Sequence, residues 1–137
     1  MQRLHYPVTD SPEEWAGELL ILDQLLFEGL ERSYFKTKAE SLACTVDPRW
    51  NALRLIKEIM VTAGVDQNEV DAIVGPLQEL HELRSKMKGH ASGQEAKKIR
   101  IQLIKVHGSL KKHFSALIES CDHAVSLIRD MAQNGIL

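Results

Sequence analysis

A chain of 137 residues with a mass of 15.5 kDa is long enough for one hydrophobic core and short for two. Hydrophobic residues make up 44% of it and charged residues 26%, a composition that excludes an intrinsically disordered chain. The formal net charge of −2 argues against a nucleic-acid partner and against a polybasic membrane binder. We therefore predict one globular domain over residues 1–137.

The distribution of cysteines and of apolar runs predicts a cytoplasmic protein with no membrane insertion. Cys44 and Cys121 form no CxxC pair and fit a reducing compartment better than a disulfide scaffold. The first residues, MQRLHYPVTD, lack the apolar core of a signal peptide. The longest aliphatic run, from Leu19 to Leu22, is far shorter than the ~20 residues that cross a bilayer.

The first predicted helix covers about residues 11–44. Ser11, followed by Glu14 three positions later, is typical of an N-terminal capping box. No proline interrupts the amphipathic pattern before Pro48. We therefore expect one long helix, in which Gly29 is a weak point that costs ~1 kcal/mol relative to alanine.

Two shorter helices are predicted next, over about residues 47–63 and 66–88. The pair Asp47-Pro48 has the capping residue and the first-turn proline that are typical of a helix start. Gly64 is typical of the position just beyond a helix end, so the second helix should stop before it.

The fourth predicted helix, about residues 92–134, carries the strongest pattern in the chain. Ten apolar residues follow one another in steps of three and four, which makes a heptad seam with one extra step of four. The seam consists of Ile99, Leu103, Val106, Leu110, Phe114, Leu117, Cys121, Ala124, Ile128 and Met131. A helix of that span would be ~60 Å long.

Together these elements predict an all-α fold, with about four helices in an antiparallel, coiled-coil-rich bundle whose first and last helices are long. Because only the first helix is long enough to follow the fourth, part of the seam should remain uncovered. We expect its C-terminal half to bind a partner, either another protein or a second copy of this chain. The predicted partner-binding residues are Leu117, Cys121, Ala124, Ile128 and Met131.

The histidines and carboxylates show no metal-ligand spacing. No His-x-x-x-His or Glu-x-x-His motif occurs, so we predict no metal, no cofactor and no catalytic residue. His107 and His113 are six positions apart, and we expect them on different helix faces and in contact with solvent. Trp15 and Trp50 are predicted to anchor the core.

An enzymatic alternative depends on Arg84 and His90, which are separated by five residues. The pair resembles the Arg-x4–6-His motif of HEPN ribonucleases, which are also all-α. That resemblance implies that the two side chains would promote attack by an RNA 2′-hydroxyl on the phosphate. Ser85 replaces the polar amide usual after the arginine, and Gly89 would break the helix between the pair. A basic helix end that complements the macrodipole is the simpler interpretation of Arg84.

Two stretches of the chain carry a second resemblance. Residues 50–53 read Trp-Asn-Ala-Leu, and from Leu103 to Leu127 polar residues separate the leucines. Both are similar to helices of the FlgN/FliT group of flagellar export chaperones. The resemblance implies a small, helical, cofactor-free chaperone or adaptor that holds an export substrate unpolymerised in the cytoplasm. We therefore predict a non-enzymatic protein-binding module, with an export substrate as the expected partner.

Overall fold

The computed structural model of the chain describes residues 7, 10–28, 30–87 and 93–137. These residues form six α-helices and no strand, so the all-α class is confirmed for them. The helices are α1 (Pro12–Glu28), α2 (Arg32–Ser41), α3 (Ala52–Thr62), α4 (Gln67–Ser85), α5 (Gly93–His107) and α6 (Leu110–Gln133). The prediction of four helices is wrong, because the first and the last are each broken into two. Residues 88–92, the predicted boundary between the third and fourth helices, lie outside the described residues.

The break between α1 and α2 lies at Glu31, the residue that precedes the second helix. Its backbone is extended, with φ −74° and ψ 109°, so the helical hydrogen bonds cannot continue through it. On the α1 side, the Leu30 amide donates to the Phe27 carbonyl at 3.2 Å and closes a turn. The single long helix predicted over residues 11–44 is therefore wrong. Gly29, the weak point of that prediction, lies outside the described residues.

The break between α5 and α6 has a local cause in the pair Gly108 and Ser109. Gly108 has φ +95° and donates its amide to the Ile104 carbonyl at 2.7 Å, which is the left-handed cap of a helix end. Ser109 then accepts a hydrogen bond from the Lys112 amide at 3.1 Å and caps the next helix. A stop signal followed at once by a start signal divides the helix predicted over residues 92–134.

The second predicted helix starts later than expected. Asp47 Oδ1 accepts a hydrogen bond from the Arg49 amide at 2.8 Å, so this aspartate organises a turn instead of capping a helix. Asn51 is the true cap of α3, because its side chain accepts from the Arg54 amide at 2.9 Å. The predicted end is confirmed: Gly64 has φ +79° just beyond α3.

The described residues divide into two compact units, and each unit takes two separate stretches of the chain. Unit 1 draws on residues 1–25 and 79–119, and unit 2 draws on residues 26–78 and 120–137. The single domain predicted over residues 1–137 stays a prediction. Across the described ranges, no helix combines the length and the apolar character needed to cross a membrane.

The core of unit 1 contains Trp15, whose side chain is fully buried, so its predicted role as a core anchor is confirmed. Three polar residues are buried in the same unit: Glu18, Asp23 and His113. The other buried apolar residues of unit 1 in the described ranges are Leu19, Leu22, Leu80, Leu83, Leu110, Phe114 and Leu117.

In unit 2, α2 packs against α3. The loop between them is held by Arg32, whose Nε donates to the Trp50 carbonyl at 2.7 Å and whose Nη2 donates to the Pro48 carbonyl at 3.0 Å. Trp50 itself is half-buried beneath the Arg54 guanidinium, whose central carbon lies 5.1 Å from the ring centroid. Its predicted role as a buried core anchor is therefore wrong.

Candidate protein-binding surface

The predicted partner-binding residues are inside the protein. Four of them lie in unit 2 and Leu117 lies in unit 1, and their exposed fractions run from 0 to 7%. The Cys121 thiol donates to the Pro76 carbonyl at 3.6 Å, so Pro76 of α4 lies against the seam at this residue. The five residues are Leu117, Cys121, Ala124, Ile128 and Met131. The prediction that this stretch is left uncovered is wrong, because α6 has 24 residues and is ~36 Å long instead of ~60 Å.

Helix α5 shows the opposite behaviour. None of its 15 residues, all of which the structure describes, is buried. The seam residues Ile99 and Leu103 are half-buried, and Val106 is 65% exposed. The incompletely covered part of the seam is therefore its N-terminal third and not its C-terminal half.

The burial pattern of α5 separates an inner face from an outer face. Half-buried residues recur at helical spacing and form the inner face, which consists of Ala96, Ile99, Arg100, Leu103 and His107. Four exposed residues at positions i, i+4, i+7 and i+8 form what we call the α5 outer face, which consists of Lys97, Ile101, Ile104 and Lys105.

The outer face combines apolar surface with positive charge. Ile101 is 55% exposed and Ile104 is 42% exposed, and a lysine stands on each side of the pair along the helix. The whole of α5 contains four lysine and arginine residues and one glutamate, which gives this helix a net charge of +3 with histidine neutral. The complete chain has a net charge of −2, so α5 is opposite in charge to the chain as a whole.

Large exposed hydrophobic residues are scattered elsewhere in the described ranges. Leu25 lies on α1, Tyr34 on α2, Leu42 just beyond α2 and Val61 on α3. Single exposed hydrophobic residues are normal on protein surfaces, whereas neighbouring exposed hydrophobic residues mark an interaction surface. Ile101 and Ile104 are neighbours on the outer face of α5, so this helix is the best candidate in the described ranges.

His113 is a buried structural residue. The Trp15 indole N–H donates to His113 Nδ1 at 3.1 Å, which places the imidazole proton on Nε2, 3.3 Å from Glu79 Oε1. The hydrogen bond from His113 lowers the pKa of Glu79 and keeps that carboxylate ionised. The expectation that His113 faces solvent is wrong. The ring of His107 lies 5.0 Å from that of His113, because the helix break at Gly108 brings the two together.

Arg84, the arginine of the ribonuclease alternative, forms an ion pair. Its Nε lies 3.6 Å from Asp23 Oδ2, and His81 Nδ1 lies 3.4 Å from the other oxygen of the same carboxylate. Asp23 is only 5% exposed. His90 lies outside the described residues. The positive charge of Arg84 is thus already balanced by a buried carboxylate, which favours a structural role over phosphate binding.

No group of three or more histidine, cysteine, aspartate and glutamate side chains is placed to hold a metal ion in the part of the chain that the structure describes. Comparison of the sequence and structure with known protein families, curated proteins and solved structures gave no match.

Sequence reasoning missed the α5 outer face, although a signal was present. The signal is the helical spacing of Lys97, Ile101, Ile104 and Lys105, but the seam has the same period, and two of its three residues on α5 lie on the inner face. A helix with isoleucines on two faces cannot bury both of them against a single neighbour. The second apolar row was the feature that marked α5 as a surface helix.

Proposed function

We propose that the protein is a non-enzymatic helical module that binds another protein. The single observation that carries the proposal is α5, a helix with no buried residue whose outer face displays two isoleucines between lysines. Its biological role, by resemblance, is that of a cytoplasmic chaperone or adaptor for an exported substrate of the flagellar type. An antiparallel, coiled-coil-rich arrangement of the helices is part of the proposal, since short loops such as residues 63–66 favour it.

Burial of the outer face would supply the binding energy. Full burial of one large aliphatic side chain stabilises a complex by about 1.5–3 kcal/mol, and Ile101 and Ile104 are adjacent on the helix at i and i+3. Helix-in-groove recognition uses anchors with this spacing. Lys97 and Lys105 at the rim would orient the partner and raise the association rate.

The test is capture of a partner by the purified full chain from a lysate of the source organism. The variant Ile101→Asp/Ile104→Asp removes the anchors. Its control is Leu25→Asp/Val61→Asp, since those two residues are 56% and 49% exposed and lie on α1 and α3. We expect wild type and control to retain one stoichiometric partner that the α5 variant loses, with unchanged helix content by circular dichroism.

Two outcomes would contradict the proposal. A partner held equally by the α5 variant would show that binding occurs elsewhere. No specific partner for wild type, together with RNA cleavage that disappears in His90→Ala, would favour the ribonuclease alternative.

A further inference from the structure

The α5 outer face has a defined pattern of charge along the helix axis. Lys97 precedes Ile101 by four residues and Lys105 follows it by four, so the two ammonium groups lie on the same side of the helix as the isoleucine pair. Their Cα atoms are separated by ~12 Å at the rise of an α-helix. All four side chains of this face are exposed.

We propose that the α5 outer face recognises an acidic amphipathic helix of another protein. This inference rests on the proposed protein-binding function and names the chemistry of the partner. The partner presents two apolar side chains about one turn apart, which cover Ile101 and Ile104. It also presents two carboxylates about two turns apart, ~12 Å, which pair with Lys97 and Lys105.

Charge complementarity selects this occupant over a second copy of the chain. A two-fold contact between two α5 outer faces would bring lysines against lysines, because this face carries no acidic residue. Like charges that face each other across an interface oppose association. A partner helix with glutamate or aspartate beside its apolar residues removes that conflict.

The composition of α5 also disfavours a membrane surface. Helices that lie in the bilayer interface combine a basic face with tryptophan, phenylalanine or leucine on the opposite face. Residues 93–107 contain no tryptophan, tyrosine or phenylalanine, and the outer face carries the lysines and the isoleucines together.

The experiment uses two synthetic helical peptides that share one leucine spacing of i and i+3. The acidic peptide has glutamates two turns apart beside the leucines, and the basic peptide has lysines at the same positions. Fluorescence anisotropy of each labelled peptide measures binding to the full chain. We expect the acidic peptide to bind at least about tenfold more tightly than the basic one. Its binding should weaken when the ionic strength is raised from about 0.01 M to about 1 M, since the Debye length then falls from about 30 Å to about 3 Å.

Charge reversal in the protein gives the matched comparison. Lys97→Glu/Lys105→Glu should weaken binding of the acidic peptide about tenfold and shift the preference to the basic peptide. The control Lys111→Glu/Lys112→Glu makes the same change in charge at exposed positions in the first turn of α6, where acidic residues favour the helix dipole. It should leave binding unchanged.

Several results would overturn the inference. These are equal binding of both peptides, equal loss in the control, anionic phosphatidylserine vesicles bound through Lys97 and Lys105 in place of the peptide, or a dimer in sedimentation velocity that Ile101→Asp abolishes. If lysate capture still depends on Ile101 and Ile104 while the acidic peptide is ignored, the protein-binding function stands and only its acidic specificity falls. If neither assay depends on α5, the function itself is wrong.

Discussion

Helices α5 and α6 carry apolar residues at the same spacing but differ completely in burial. Every seam residue of α6 is buried, whereas the three seam residues of α5 are half-buried or exposed. α6 places its large apolar residues mainly on one face, while α5 divides its isoleucines between two faces. The comparison teaches that a three-and-four spacing predicts a helix and its register, but the placement of the remaining apolar residues decides whether one neighbour can cover it.

The largest expected difference in stability between the two helices comes from substituting an apolar residue of each by aspartate. Leu117→Asp should destabilise the fold by several kcal/mol, because an unpaired carboxylate would lie at a position that is 3% exposed. Ile101→Asp should cost about 1 kcal/mol or less, since the side chain reaches solvent. Urea unfolding followed by circular dichroism measures both. Similar midpoints for the two variants would show that the burial contrast is wrong.

A second prediction compares the two histidines that meet across the helix break. His113→Ala leaves the Trp15 indole N–H buried without its acceptor, at an expected cost of about 1–3 kcal/mol. His107→Ala on α5 removes a ring contact from a half-buried position and should cost less than half as much. The free energies of unfolding of the two variants test this order. A larger loss of stability in His107→Ala would show that His107 of α5 supports the fold more than His113 does.

Local signals allowed several helix ends to be predicted, and the ends that were missed have different causes. Gly64 was predicted to end a helix, and Gly135 directly follows the predicted helix end at residue 134; both have φ +79° with the following amide bonded back to the last turn. Gly108 is the same kind of signal, but the heptad seam continued through it and outweighed one glycine. The start of α3 was misplaced because Asp47-Pro48 suits a turn as well as a helix.

The candidate site could not be predicted in the same way, because burial depends on contacts between residues far apart in the chain. Trp15 and His113 are separated by 98 positions, and no residue near His113 in the sequence indicates that Trp15 is its hydrogen-bond partner. Cys121 and Pro76 are 45 positions apart, and that contact is part of what buries the predicted binding stretch. Spacing alone placed Ile99 and Leu103 correctly on the inner face of α5, but it also assigned Val106 to the seam, which is 65% exposed, and it could not show that the outer face is left bare.

The third prediction tests whether Gly108 sets the boundary between α5 and α6. A left-handed residue with a Cβ atom costs about 1–2 kcal/mol, so Gly108→Ala should lower stability by that amount. The control is Gly17→Ala in the interior of α1, where a Cβ would meet nothing within 4 Å. That change should raise stability by about 0.5–1 kcal/mol. Stabilisation by both substitutions would mean that the helix can run through residue 108.

The smallest expected effect is a pH dependence of stability that comes from Glu79 on α4. Its Oε1 accepts a hydrogen bond from Nε2 of His113, which lies in the first turn of α6. The pKa of Glu79 is lowered, first by that hydrogen bond and then by the nearby imidazoles, so the carboxylate contributes stability when it is ionised. The contribution is complete above the ordinary glutamate pKa of about 4.3 and is lost as the pH falls through the lower folded value. Glu79→Gln should therefore be less stable than wild type at neutral pH, and the difference should shrink below about pH 4.

Urea unfolding at several pH values measures this difference in stability. The control is Glu119→Gln, which changes an exposed glutamate of the same helix as His113. If the difference in stability between Glu79→Gln and wild type stays constant with pH, the ionised form of Glu79 does not stabilise the fold through His113. A similar pH dependence in the control would show that the effect belongs to the net charge of the chain and not to this contact.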